Sequence, residues 1–264
     1  MSKKILWASL YSLHDTSSGA AISSRTQLEE LVKQGFTVKV LTAFVFDNPR
    51  GTSMFPDLDE KLNSERRIFT VSADGIEYVY VKTASRYVNE VTVAEENFFL
   101  QVYFDMLRRF QPDIMMGYGG EPLSFIMRRE AKARGISVVY NLCNGSHQNF
   151  RFPDVDLIIT KSRATVDYYA RWGNAVRNTG VFIRPESVRA LKREPKYITF
   201  INPTPEKGTA LFARLAMMSK KELPDEKFLV VQSRGHFQTT LRQIQNFATH
   251  THTHTHLQNL KTHP

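Results

Sequence analysis

The residues with chemistry to offer sit on short loops between regular elements. Asn202–Gly208 (NPTPEKG) joins a strand pattern to a helix pattern and places Lys207 directly before Gly208. A strand-to-helix loop presents free backbone N–H groups and the positive end of a helix dipole. Lysine adds a point charge there, and glycine lets a ligand approach the backbone closely. The loop therefore suits a phosphate, with Lys207, Gly208 and Asn202 as contacts. A lysine on a solvated helix start is the plain alternative. Ser17-Ser18-Gly19 opens the first helix pattern in the same way. Gly19 lets donor phosphate or acceptor hydroxyls approach the backbone amides, and Ser18 is a possible donor or acceptor contact; an ordinary helix cap by Ser17 or Ser18 is the plain alternative. His14 and Asp15 share the loop and are further candidate contacts. Ser233-Arg234-Gly235 follows a later strand pattern. Arg234 either meets phosphate or sugar, or is a solvated arginine beside a turn glycine.

Two weaker candidates could do acid–base work. Glu121 follows Gly119-Gly120 at the carboxyl end of a strand, where open α/β sheets hold ligands. His147 lies in a loop beyond another strand, and a lone loop histidine is more often merely solvated. No G-x-G-x-x-G fingerprint occurs, so a nicotinamide or flavin cofactor is unsupported. The one cysteine, Cys143, excludes an internal disulfide framework and a multi-cysteine zinc site. Residues 249–256 (THTHTHTH) form a low-complexity stretch. Alternating histidines can bind metal, but no carboxylate or cysteine stands nearby, so a solvated loop is expected and no metal.

These loops need elements to hold them. Strand patterns fall at Ile5–Leu10, Phe36–Thr42, Arg67–Val71, Ile76–Lys82, Pro112–Gly117, Ile136–Leu142, Val155–Thr160 and Val176–Val181. Helical spacing covers Gly19–Gln34, Val91–Phe110, Pro122–Arg134 and Arg163–Trp172. Residues 45–66 have no clean period and are broken by Pro49, Gly51 and Pro56, so they read as a lid-like excursion. The alternation predicts a doubly wound α/β domain over residues 1–183. Residues 184–196 are polar and proline-bounded, which suits a linker. A second unit over 197–264 starts with strand Tyr197–Ile201, helix Gly208–Met218, strand Lys227–Gln232 and a helix at Gln238–Phe247. A unit of about 70 residues is small for an α/β core, and parallel strands want neighbours on both sides. More sheet is therefore expected beyond Pro264.

Composition sets the remaining bounds. The chain has 264 residues, 42% hydrophobic and 23% charged, as ordinary globular chains do. Net charge is +9, and residues 184–264 carry 13 Lys/Arg against 6 Asp/Glu. That basic excess is either a solvated surface or a patch for phosphate ligands or anionic lipid. Aromatic and basic residues do not interleave, so no nucleic acid is expected. The N-terminus reads as a first strand rather than a signal peptide. Low cysteine use suits the cytoplasm.

The order of these segments resembles the retaining GT-B glycosyltransferases with a group-1 type transferase domain. Ser18-Gly19-Ala20, Pro112–Gly120 (PDIMMGYGG), Asp156–Ser162 (DLIITKS) and Phe200–Gly208 (FINPTPEKG) carry the likeness. It runs from Lys4 to about Gly235 through order and spacing, not through one decisive motif. The resemblance implies a GT-B-like fold: a complete N-terminal Rossmann-like acceptor-side domain and a partial C-terminal donor domain. It implies a nucleotide-sugar donor, a saccharide or lipid-linked acceptor, transfer with retention, and no metal. Peripheral contact with the inner face of a membrane fits a lipid-linked acceptor. The family loop is usually written G-R-x-x-x-x-K-G, and Asn202 stands where its arginine would be. The family's acidic motif would lie beyond Pro264. A partial gene product without turnover is one alternative. A nucleotide-sugar epimerase is another, disfavoured by the missing G-x-G-x-x-G and the lack of a Y-x-x-x-K helix.

Overall fold

The computed structural model describes residues 2–144, 152–232, 235–242 and 262–263. The chain divides into two compact units, Met1–Val188 and Arg189–Pro264.

In the first unit the strands are β1 (Lys4–Ala8), β2 (Thr37–Ala43), β3 (Ile68–Ala73), β4 (Ile76–Val81), β5 (Ile114–Gly117), β6 (Ser137–Leu142), β7 (Leu157–Thr160) and β8 (Val176–Asn178). The longer helices are α1 (Gly19–Lys33), α3 (Val93–Phe110), α4 (Pro122–Ala133) and α5 (Arg163–Ala170), with a short α2 (Leu58–Asn63). Spatial order is β3-β4-β2-β1-β5-β6-β7-β8. Every pairing is parallel except β3 with β4. Those two form a hairpin closed by Asp74 and Gly75, as the Ala73-Asp74-Gly75 turn predicts.

Central strands are buried on both faces, which is why they read as continuous apolar runs. Ile5 and Trp7 of β1 face a core with Leu28 of α1, Val40 and Tyr78. Leu6 and Ala8 face the other way, onto Tyr103 of α3 and Leu123 and Met127 of α4. Helices on both faces make the layered α/β architecture expected from the alternation.

The excursion at 45–66 differs from the sequence expectation. It holds a 3-10 segment at Pro49–Met54 as well as α2. Phe46, Phe55 and Leu58 are buried in the core. Phe55 packs edge-on against Phe44 and Tyr80 at ring distances of 5.3 and 5.1 Å. Spaced anchors of this kind fix a segment without giving it a period, so it is a packed flap of the core rather than a lid.

Beyond β8 the chain returns across α1. The Phe182 N–H donates to Ser23 Oγ at 3.2 Å. Arg184 bonds Glu29 at 2.8 Å and Asp74 at 2.8 Å. The residue read as the start of a linker is thus a tie to the first unit. The one-turn helix α6 (Pro185–Val188) ends that unit.

The second unit has strands β9 (Ile198–Ile201), β10 (Phe228–Val231) and β11 (Thr262–His263), with helix α7 (Thr209–Glu222). Both pairings, β9 with β10 and β10 with β11, are parallel. Residues 237–242 are helical. Phe212, Val230, Phe237 and Leu241 form a small core. The histidine-rich stretch 249–256 lies outside the described residues.

Candidate functional site

In the first sheet β1 is flanked by β2 on one side and β5 on the other. Connections leave in opposite directions at such a switch point, and a crevice opens at the carboxyl ends of the two strands. The loop after β1 and the loop after β5 therefore face each other. One hydrogen bond spans them: the Tyr11 hydroxyl donates to Glu121 Oε1 at 2.8 Å. Ser124 Oγ donates to Glu121 Oε2 at 3.0 Å. Glu121 precedes α4 and is half-buried. Burial and the neighbouring Glu121 carboxylate hold the Tyr11 phenol well above its ordinary value.

His14 and Asp15 lie inside that first loop, and both are buried. His14 Nδ1 is 2.5 Å from the Tyr80 hydroxyl. Its ring packs 4.4 Å from Tyr78 and 5.6 Å from Phe55. Burial, helped by the Arg25 charge, lowers the imidazole from 6.5 to about 4. Asp15 Oδ1 accepts from the Ser17 N–H at 2.8 Å and the Ser17 hydroxyl at 2.6 Å. Its Oδ2 accepts the Asp47 N–H at 2.6 Å. Two loops are thereby pinned to one carboxylate. Both Asp15 oxygens and His14 Nδ1 hold the loop's shape.

Ser18 caps α1, its oxygen accepting the Ala21 N–H at 3.5 Å. Gly19 is the first residue of the helix and is exposed. A Cβ there would meet nothing within 4 Å, so the space beside it is open. No acidic residue stands in the first turn of α1. At the end of β6, Asn141 donates to Ser24 Oγ at 2.9 Å and Gln27 Oε1 at 3.2 Å, fastening the strand to α1.

The second unit brings Asn202, Lys207 and Gly208 together between β9 and α7. Gly208 has φ of 86°, a left-handed conformation that a side chain would strain. It is the N-cap of α7 and supplies no side-chain cap, so the first N–H groups of that helix are left for a ligand or solvent. Lys207 is exposed, and its ammonium makes no hydrogen bond or ion pair among the described residues. Asn202 is buried, with φ of 58°. Its Oδ1 accepts the Gly235 N–H at 2.8 Å. The asparagine thus joins the loop after β9 to the loop after β10. An added Cβ on Gly235 would sit 2.5 Å from the Pro203 carbonyl oxygen, so only glycine fits that approach. His147 and Arg234 lie outside the described residues.

Lys161 went unassigned at the sequence level. It follows β7, half-buried beside Cys143, and burial lowers its ammonium below the ordinary value. The signal was a lysine at a strand's carboxyl end, which is indistinguishable in sequence from a solvated one. Among the described residues no group of three or more His, Cys, Asp or Glu could hold a metal ion. No described helix is long and apolar enough to cross a membrane.

No protein-family model matches the sequence, and no curated protein does. Solved structures do match. The catalytic domain of starch synthase IV from Arabidopsis thaliana, bound to ADP and acarbose, superposes with a TM-score of 0.54 at 11% identity. That match covers 95% of this chain and 73% of the other. The E. coli trehalose-6-phosphate structure bound with UDP-2-fluoro glucose gives a TM-score of 0.51 at 12% identity, covering 94% and 70%. UDP-GlcNAc 2-epimerase from Methanocaldococcus jannaschii gives 0.52 at 13% identity, with the same coverage of 94% and 70%. The fold is GT-B-like. An epimerase shares it, so the absence of G-x-G-x-x-G and Y-x-x-x-K does not exclude epimerisation on this fold.

Proposed function

We propose that this chain belongs to a glycosyltransferase that moves a sugar from a nucleotide-sugar donor to a saccharide or lipid-linked acceptor, with retention of configuration. The observation that carries the reading is the start of α7. There the unpaired Lys207 stands beside uncapped helix N–H groups. When the bond between the anomeric carbon and the diphosphate oxygen breaks, negative charge grows on the diphosphate. Fixed positive charge aimed at that group lowers the barrier. In this reading Lys207 and Gly208 hold the phosphates, and Asn202 positions the loop rather than touching the donor. Residues 197–264 are then the donor side and 1–183 the acceptor side, joined over 184–196 by a connection whose first residues, through Val188, pack with the first unit. The open space at Gly19 takes donor phosphate or acceptor hydroxyls, with Ser18 shaping it, and the crevice at Glu121 takes the acceptor. Asp15 and His14 act through loop structure. Arg234 remains a candidate donor contact and His147 a candidate near the reacting sugar. No protein base is assigned.

Bound ADP and UDP-2-fluoro glucose in two fold neighbours support a nucleotide donor here. A cytoplasmic location, with the basic segment 184–264 resting on anionic lipid, completes the proposal. The test is release of nucleoside diphosphate from UDP-glucose, ADP-glucose and UDP-GlcNAc, with and without added saccharide. Acceptor-dependent release that drops sharply in Lys207→Ala supports transfer. Undiminished release by the variant removes the phosphate role. Epimerisation is the second reading, favoured by the UDP-GlcNAc 2-epimerase among the fold neighbours. Conversion of UDP-GlcNAc to its epimer without an acceptor would select it.

A further inference from the structure

A groove runs along one face of the first sheet, between α3 and the β3–β4 hairpin. Val102, Met106 and Phe110 follow one another at four-residue spacing and form its helical wall. Val79 of β4 and Ile68 of β3 form the sheet wall, and Ile68 is 40% exposed. The cavity measures about 360 Å³, and small-ligand pockets usually run to roughly 300–1,000 Å³. Glu77 lies at one end of the groove, and Ile68, paired with Val81, at the other. The step along β4 from Glu77 to Val81 is about 13 Å at roughly 3.3 Å per residue. The groove is therefore elongated, with apolar side chains along its middle.

Charge gathers at the Phe110 end. Lys4 Nζ and Lys39 Nζ lie 5.6 and 5.4 Å from the Phe110 ring centre. Lys4 donates to the Phe110 carbonyl at 3.1 Å, and Lys39 to Glu77 Oε1 at 2.6 Å. The other carboxylate on the groove, Asp105, accepts from Arg108 at 2.8 Å. Asp113 stands close by and accepts the Lys4 N–H at 2.7 Å. Arg109 also lines this end, and its guanidinium makes no hydrogen bond or ion pair among the described residues. The Leu107 and Phe110 carbonyls at the end of α3 have other donors, the Gln111 N–H and Lys4. One planar cation without a partner, at the head of an apolar groove, matches a monoanion with a tail. A guanidinium takes a carboxylate through two parallel hydrogen bonds.

We propose that this groove binds an acyl carboxylate, its head on Arg109 and its tail laid along Met106 and Val79 toward Ile68. The cavity holds about a dozen heavy atoms at roughly 30 Å³ each, which is the size of decanoate. The site does not depend on the transferase reading. Its charged end lies where β1 and β4 begin, while Tyr11 and Glu121 meet beyond the carboxyl ends of β1 and β5. The carboxylate is thus a second ligand, separate from donor and acceptor.

Calorimetry on the full chain tests this with decanoate, kept below micelle formation, beside butyrate and decyltrimethylammonium. Saturable binding of decanoate is expected. Butyrate, which lacks the tail, and the ammonium, which inverts the head, should not bind. Arg109→Met should weaken decanoate by about tenfold or more, through loss of a charge-assisted pair. Ile68→Asp should weaken it by a similar factor, because the tail would then cover a carboxylate. Near-ultraviolet circular dichroism checks folding, and Arg109→Gln or Met106→Asp repeats the test should either variant fold poorly. Equal binding of butyrate or the ammonium, undiminished affinity in a folded variant, or no saturable binding to the native chain would overturn the site.

Discussion

Asn202 Oδ1 accepts the backbone N–H of Gly235 at 2.8 Å, so one carboxamide joins the two loops at the carboxyl edge of the second sheet. The backbone at Asn202 is left-handed, a conformation asparagine tolerates better than most residues. An arginine at this position would lose both the bond and the backbone preference.

Asn202→Ala should speed hydrogen exchange at the Gly235 amide by the equivalent of about 1–3 kcal/mol, the cost of stranding a buried donor. Exchange followed by mass spectrometry on the peptide spanning Gly235 reads this directly. An unchanged rate would mean the bond does not hold the loop.

Lys207→Ala should weaken binding of UDP or ADP by about tenfold while leaving the melting temperature within a degree or two, since an exposed cation contributes little to stability. Calorimetry and thermal melting together make the check. A large loss of stability with no loss of affinity would assign the lysine to structure.

Asp15→Ala should destabilise the first unit by about 3 kcal/mol or more, because three donors lose a buried carboxylate. Urea unfolding followed through the buried Trp7 measures it. Were Asp15 chiefly a ligand contact, the variant would unfold at nearly the native midpoint.

His14 makes stability depend on pH. Folding lowers its imidazole to about 4, so the folded chain resists a proton that the unfolded chain accepts below about 6.5. Its contribution is full above pH 6.5, is lost as pH falls from 6.5 to 4, and is constant below that. The span is about 3 kcal/mol as an upper figure. His14→Phe, which leaves Tyr80 bonded to Ser12, should flatten that part of the profile. A native slope surviving in the variant would place the titrating group elsewhere.

The regular elements of the first unit were legible. The apolar runs of β1, β5 and β6 and the spacing in α3 and α4 come from local rules, and the glycines at 35, 135 and 173 mark where helices stop. Local rules also placed Gly208 at the head of α7. The packed flap at 45–66 was not legible, because Phe46, Phe55 and Leu58 are anchors without a period. Nor was the burial of His14 and Asp15, whose polar side chains look like ligand contacts until their partners on β4 and the flap are seen.

By itself, then, the sequence determined the alternation of strands and helices, the strand ends that carry loops, and the lysine and glycine before α7. Those follow from side-chain periodicity and backbone freedom, which act over a few residues. Tertiary structure alone decided that β1 and β5 are neighbours, that Tyr11 meets Glu121 and that Arg184 meets Glu29 and Asp74. Strand order brings together residues more than a hundred positions apart, and electrostatics depends on distance in space rather than along the chain.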